Sequence, residues 1–136
     1  MGTGPLFEAL SMQHVLIDAC GWTACIDAQL NIERDLEALL GPCRWVLLQS
    51  VERELVALET QRPKRNSLLL SLLRSKSEAY QTDINGHTDD EIFACALEKN
   101  WATLTVDTDL KHRLYEANLR VIEVRQNTHL YLVDSL

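Results

Sequence analysis

Acidic residues recur in this chain where an α/β fold would gather them. Asp18 directly follows the apolar run His14–Ile17, and Glu54 falls in the first turn after Trp45–Leu48. Asp89 precedes Ile92, Phe93 and Ala96, and Asp107 directly follows Ala102–Val106. Like charges at close range cannot all stay ionised without compensation. A hard divalent cation with oxygen ligands supplies it; an all-carboxylate set suits Mg²⁺ or Mn²⁺, whereas zinc favours His or Cys. One or two such ions activate water and steady an in-line phosphate displacement. The residues alone leave two readings open, metal-dependent phosphoryl chemistry and an ion-pair network, because both draw acids together.

Helical and strand spacing separate the acids. Asp89 stands at i−3 to Ile92, i−4 to Phe93 and i−7 to Ala96, which aims it at the middle of an apolar helix face. Glu91 completes a T-x-x-E capping box with Thr88, and Asp90 reads as a first-turn acid favoured by the helix dipole. Glu54 lies at the margin of the stripe Val51, Leu55, Leu58, with Glu52 and Glu59 on the opposite flank. Thr105 should share a strand face with Asp107, where its hydroxyl would orient a ligand or water, or simply reflect β-propensity. Asp109 is expected to cap the next helix with Arg113 as its i+4 partner, and a place near the metal is also open to it.

These carboxylates need a frame. Short apolar runs predict strands at His14–Ile17, Trp45–Leu48, Ala102–Val106 and Val121–Val124, with a fifth strand or covering segment at His129–Val133. Helices are expected over Trp22–Gln29, from the N-cap Asn31 to Gly41-Pro42, from the N-cap Ser50 to about Thr60, over Ser67–Tyr80, from Thr88 to about Asn100, and around Leu110–Asn118. Asn85-Gly86 marks a turn. Strands alternating with helices imply βαβ units: a three-layer α/β/α sandwich, Rossmann-like, with a mostly parallel four- to five-stranded sheet. Sites in such sheets form beyond the carboxyl ends of the strands, where Asp18 and Asp107 sit.

The 136 residues suffice for one domain with its own core, expected over 14–136 after a loose segment 1–13. No apolar run approaches the roughly 20 residues that span a bilayer. The start lacks a basic n-region and the myristoylation pattern, so a cytoplasmic protein is expected. Cys20, Cys25, Cys43 and Cys95 show neither CxxC nor zinc spacing and read as small hydrophobes. The net charge of −7 argues against a polyanionic partner unless acids are neutralised by metal. Basic residues cluster at Arg62, Lys64 and Arg65, at Arg74 and Lys76, and at Lys111, His112 and Arg113, each group readable as solvated surface.

Taken in order, Val15-Leu16-Ile17-Asp18, Ser50-Val51-Glu52-Arg53-Glu54-Leu55, Thr88-Asp89-Asp90-Glu91-Ile92 and Thr105-Val106-Asp107-Thr108-Asp109-Leu110 resemble the PIN domain nucleases, from about His14 to Leu132. Asp107–Lys111 and the tail Val121–Gln126 with Leu130 are more similar to the archaeal and eukaryotic rRNA-processing branch than to the toxins of toxin–antitoxin pairs. The resemblance implies a PIN-like fold whose catalytic, metal-holding acids are Asp18, Glu54, Asp89 and Asp107, with Thr105 and Asp109 beside them. It implies Mg²⁺ or Mn²⁺ and an endoribonuclease in which activated water cleaves RNA to 5′-phosphate and 3′-hydroxyl ends. RNA is then the expected partner; a homodimer through Leu68–Leu73, an antitoxin or an RNA-processing partner stay open. One departure stands out: Ala19-Cys20 follows the first acid where the family usually has Thr or Ser and then Asn or Ser. It leaves room for weakened activity, or for a non-catalytic RNA- or protein-binding module.

Overall fold

Val15, Leu16 and Ile17 are all buried, although successive strand side chains point to opposite faces. A strand apolar on both faces must be covered on both, and β1 (Gln13–Ile17) is that central strand. The computed structural model describes residues 12–61, 71–72, 74–83, 86–125 and 129–134. Its further elements are α1 (Ala19–Asp27), α2 (Ile32–Leu40), β2 (Cys43–Leu48), α3 (Gln49–Glu59), β3 (Glu78–Tyr80), α4 (Thr88–Lys99), β4 (Ala102–Leu104), α5 (Thr108–Glu116), β5 (Val121–Arg125) and β6 (His129–Val133). No described helix is long and apolar enough to cross a membrane.

The strands form one sheet in the order β3-β2-β1-β4-β5-β6, parallel except for the antiparallel pair β5–β6. From β1 the chain builds outward to β2 and β3, then returns to place β4 on the other side of β1. Because parallel crossovers are right-handed, this reversal puts the helices before and after it on opposite faces. Accordingly α1 packs with α3, while α4 packs with α5. The reversal also opens a crevice between the carboxyl ends of β1 and β4, the usual ligand position in an open α/β sheet.

Local signals explain most element boundaries. Asn31 caps α2 by accepting the Arg34 amide at 3.1 Å, and Gly41 ends it at φ +74°. Asn100 closes α4 in the left-handed conformation, which Asn tolerates. Trp22 of α1 meets Trp45 of β2 edge to face, with ring centroids 5.9 Å apart, and fixes that helix layer on the sheet.

Several expectations are corrected. The sheet has six strands: Glu78–Tyr80, read as the end of a helix, is the edge strand β3. Its ladder to β2 and the cross-strand pair Arg44–Glu78 at 3.0 Å outweigh the helical spacing of the leucines before it. Helix α1 starts at Ala19, three residues early, because Asp18 caps it. Helix α3 starts at Gln49, so Ser50 lies inside it and does not cap. The segment 1–11, the basic loop 62–66, Asn85 and the leucines 68, 69 and 73 lie outside the described residues, while Leu72 is exposed.

One glycine sets how closely α1 approaches the sheet. A Cβ at Gly21 would stand 2.5 Å from the Leu104 carbonyl oxygen and 2.9 Å from Asp18 Oδ1. Neither the backbone oxygen nor the buried carboxylate can retreat cheaply. Ala gains about 1 kcal/mol of helix propensity over Gly, while overpacking costs about 1–3 kcal/mol. With backbone as the obstacle, the clash should win: Gly21→Ala is expected to lose stability by at least about 1 kcal/mol in urea unfolding, and equal or greater stability would refute this close approach.

Candidate functional site

The crevice is built around Asp18. This residue ends β1 and caps α1, so its backbone is extended and its side chain turns back over the first helical turn. Its Oδ1 accepts the Gly21 amide at 2.7 Å; its Oδ2 accepts the Thr105 hydroxyl at 2.5 Å and the Cys20 thiol at 3.2 Å. Only 4 % of Asp18 is exposed. A carboxylate oxygen has two lone pairs, so Oδ1 retains one while Oδ2 is fully engaged.

Thr105 carries the link across the crevice. It is wholly buried just beyond β4, and its amide donates to the Ile122 carbonyl at 3.3 Å. Its hydroxyl donates to Asp18 and accepts the Asp107 amide at 3.1 Å. Asp107 in turn caps α5, with Oδ1 accepting the Leu110 amide at 2.8 Å. Thus Asp18 and Asp107, far apart in sequence, hang on one hydroxyl.

Asp89 comes from the first turn of α4, half-buried. Its carboxyl is held above the usual range, mainly by burial and then by the charge of Asp107, with Asp90 adding; Arg113 and His87 oppose the shift. Asp18 is raised too: burial dominates, its hydrogen bonds from Thr105, Cys20 and Gly21 oppose, and Asp89 adds repulsion. Asp89 is therefore within electrostatic reach of both Asp18 and Asp107. The same burial and the Asp18 charge push the Cys20 thiol up to about 11, so Cys20 serves as a neutral hydrogen-bond donor.

The remaining sequence candidates stand apart. The buried stripe of α3 is Ser50, Val51 and Leu55, and Glu54 is exposed, with no hydrogen bond or ion pair to another described residue. Asp109 is exposed in the first turn of α5 and is not its cap; Asp107 is. Arg113 pairs with Asp90 at 2.9 Å instead of Asp109. Glu91 does not close a capping box, because Thr88 is already inside the helix and His87 occupies the cap without a side-chain bond. Glu91 accepts instead from the Thr82 hydroxyl at 3.0 Å and the Ser50 hydroxyl at 3.3 Å, tying α4 to α3 and to the loop after β3. Cys20 and Gly21 were not singled out from sequence as contacts of Asp18; the only signal was that Asp18 stands one cap before a glycine-containing first turn.

The donor set fits a hard cation. It consists of carboxylates, two of them raised above the usual range chiefly by burial and further by a neighbouring carboxylate, the condition a divalent ion relieves. Among the described residues no three His, Cys, Asp or Glu side chains are already arranged to hold a metal ion. Closing such a set requires inward movement of half-exposed side chains such as Asp89.

A family model described as PIN like domain matches residues 15–127. Solved structures also match, among them one described as the structure of the PIN domain endonuclease Utp24, at 19% identity and a TM-score of 0.73, covering 90% of this chain and 95% of that one. At that identity the likeness shows the fold alone. Comparison with curated protein sequences gives no significant match.

Two measurements follow from the hydrogen bonds and charges. Thr105→Val keeps the shape but leaves the Asp107 amide and Asp18 Oδ2 short of a partner, so unfolding should become easier by about 1–3 kcal/mol; an unchanged midpoint would refute the link. Asp18→Asn tests the sign of its shift. A carboxyl raised above its unfolded value of 3.8 favours the folded state while protonated, and that contribution is lost as pH rises through the folded value. Asn caps as well as Asp. In chelator, Asp18→Asn should therefore gain thermal stability over the parent as pH rises from about 4 to 7, and a parent that stays more stable at neutral pH would contradict it.

Proposed function

This chain belongs to the PIN-like domain family, and we propose that it is a divalent-metal-dependent endoribonuclease that hydrolyses RNA phosphodiester bonds at the crevice between β1 and β4. The observation that carries the reading is the convergence of Asp18, Asp89 and Asp107, two of them with raised carboxyls, at the topological switch point of the sheet. Structural ion-pair networks raise no such mutual demand for a cation, since they bring their own counter-charge.

Asp18, Asp89 and Asp107 would hold Mg²⁺ or Mn²⁺. Such an ion, when bound, activates water and neutralises charge developing on the phosphate. The chain's own residues do the positioning. Thr105 fixes Asp18 and Asp107 relative to each other through its single hydroxyl. The Gly21 amide anchors Asp18 Oδ1, and the neutral Cys20 thiol fills the place where the family's pattern has a hydroxyl or amide-bearing side chain. Glu54 would have to reorient toward the crevice to join the set, as would Asp109.

A second reading has a specific observation behind it. With Glu54 exposed and Ala19-Cys20 after the first acid, the same fold would serve as a non-catalytic RNA- or protein-binding module. One experiment separates the two. Purified protein with Mn²⁺ should cleave RNA internally, chelator should abolish cleavage, and Asp89→Asn should reduce it by about 100-fold or more. Cleavage that is absent, or that persists undiminished in Asp89→Asn, would sink the nuclease reading.

A further inference from the structure

An acidic crevice on a chain of net charge −7 repels the polyanion it is proposed to cut, so a cation must receive the strand beside it. Several described cations near that edge are already engaged. Lys111 and Arg125 both pair with Glu123, at 3.7 and 3.0 Å, and Arg125 also lies 3.6 Å over the Tyr131 ring. Arg74 is held by Glu59 and Glu52 on the α3 side.

Arg113 is placed differently. It projects from α5 toward α4, its guanidinium carbon 4.6 Å above the Phe93 ring, and donates through Nη1 to Asp90 Oδ1 at 2.9 Å. It lies within electrostatic reach of Asp89. Its side chain is 41% exposed, and a guanidinium has five N–H donors in a fixed plane. Stacking on Phe93 fixes the orientation of that plane at little entropic cost. Beside it, Phe93, Arg113, Glu116 and Ala117 line an open hollow of about 320 Å³, large enough for one nucleotide. Phe93 is one helical turn along α4 from Asp89, about 6 Å, while Glu116 and Ala117 stand at the opposite end of α5 from Asp107, so the hollow runs from near Asp89 away from the crevice.

We infer that this hollow between α4 and α5 is a subsite for a nucleotide on the stretch of single-stranded RNA leading away from the scissile bond, with Arg113 donating to its phosphate and Phe93 supporting its base and the guanidinium. The subsite deepens the ribonuclease reading and rests on it for the identity of the strand. Asp90 holds the guanidinium in the free protein and competes with the phosphate for it. Arg113 is thereby a positioning residue for substrate, poised by an ion pair that the strand exchanges for its own.

The test uses the full chain, a short labelled oligouridylate and Ca²⁺ in place of Mn²⁺, with affinity measured by anisotropy across salt. Loss of one phosphate contact reduces the slope of log affinity against log salt by about 0.7 for a single strand. Arg113→Ala should show that decrease; Arg113→Lys should keep the slope while binding several-fold more weakly. Phe93→Leu should weaken binding about tenfold with the slope unchanged, as loss of a stacking contact does. Asp90→Asn should tighten binding, and the gain should vanish in Asp90→Asn/Arg113→Ala. If Arg113→Ala loses its fold, Arg113→Gln, which keeps a stem over Phe93, carries the same slope test. Equal slopes for the parent and the Arg113 variants, or an Asp90→Asn gain that survives without Arg113, overturn the subsite. A parent that binds RNA but does not cleave it removes the nuclease reading and leaves the subsite. A parent that cleaves with unchanged slopes does the reverse, and one that does not bind RNA removes both.

Discussion

The Asp18 carboxylate is the constraint on which the rest of this structure depends. A charge buried this deeply costs several kcal/mol unless it is met by hydrogen bonds or a counter-charge. Here the meeting groups come from two segments: a helix amide at Gly21 and a thiol at Cys20 from the first turn of α1, and a hydroxyl at Thr105 beyond β4. Each requirement propagates. The Gly21 amide can reach only because position 21 has no Cβ to strike the Leu104 carbonyl. Thr105 can reach only because β4 pairs directly with β1, which is the strand order that reverses the chain.

Those bonds do not fully offset burial, since the carboxyl remains raised and Asp89 raises it further. Asp18 therefore favours the folded state most while protonated, a sign opposite to the usual surface ion pair. Strain of this kind is retained where a ligand relieves it. Glu123 makes the contrast within the same molecule. It accepts from Tyr115 and Arg125 and pairs with Lys111 at 3.7 Å, and its carboxyl is held low despite burial. The Glu123 carboxyl is held low by the protein's own cations, whereas Arg113 and His87 only partly oppose the raised Asp89, and the proposed cation site rests on that contrast.

What was legible in the sequence follows the range of the interactions. Asp18 at the end of an apolar run, Asn31 as a cap and Gly41 as a stop are decided within a few residues, and the structure has them so. The parallel α/β class was readable because β1 and β2 are apolar on both faces. Asp107 takes the capping role expected of Asp109 because α5 begins two residues earlier than its apolar spacing implies. Glu91 looked like a local cap, yet its partners Ser50 and Thr82 lie in other segments, and no local pattern announces them. The strand β3 was missed for the same reason: three residues, mostly exposed, become a strand only through the ladder to β2. Glu54 stood at the margin of its helix stripe, and a margin is where spacing decides least; packing of Val51 and Leu55 turned it outward.

The same long-range logic explains how α4 and α5 are kept in register with the crevice. Asp89 and Asp107 stand at the N-terminal ends of these two helices, so any rotation of one helix against the other changes the distance between the acids. The helix dipoles favour both carboxylates where they are but do not fix their separation. The Arg113–Asp90 pair links the two helices beside Asp89 and is braced on Phe93. An exposed ion pair of this kind adds little to stability. Its value is geometric: it holds a guanidinium oriented at the margin of the field of Asp89, where a phosphate approaching the acids meets it before it meets them.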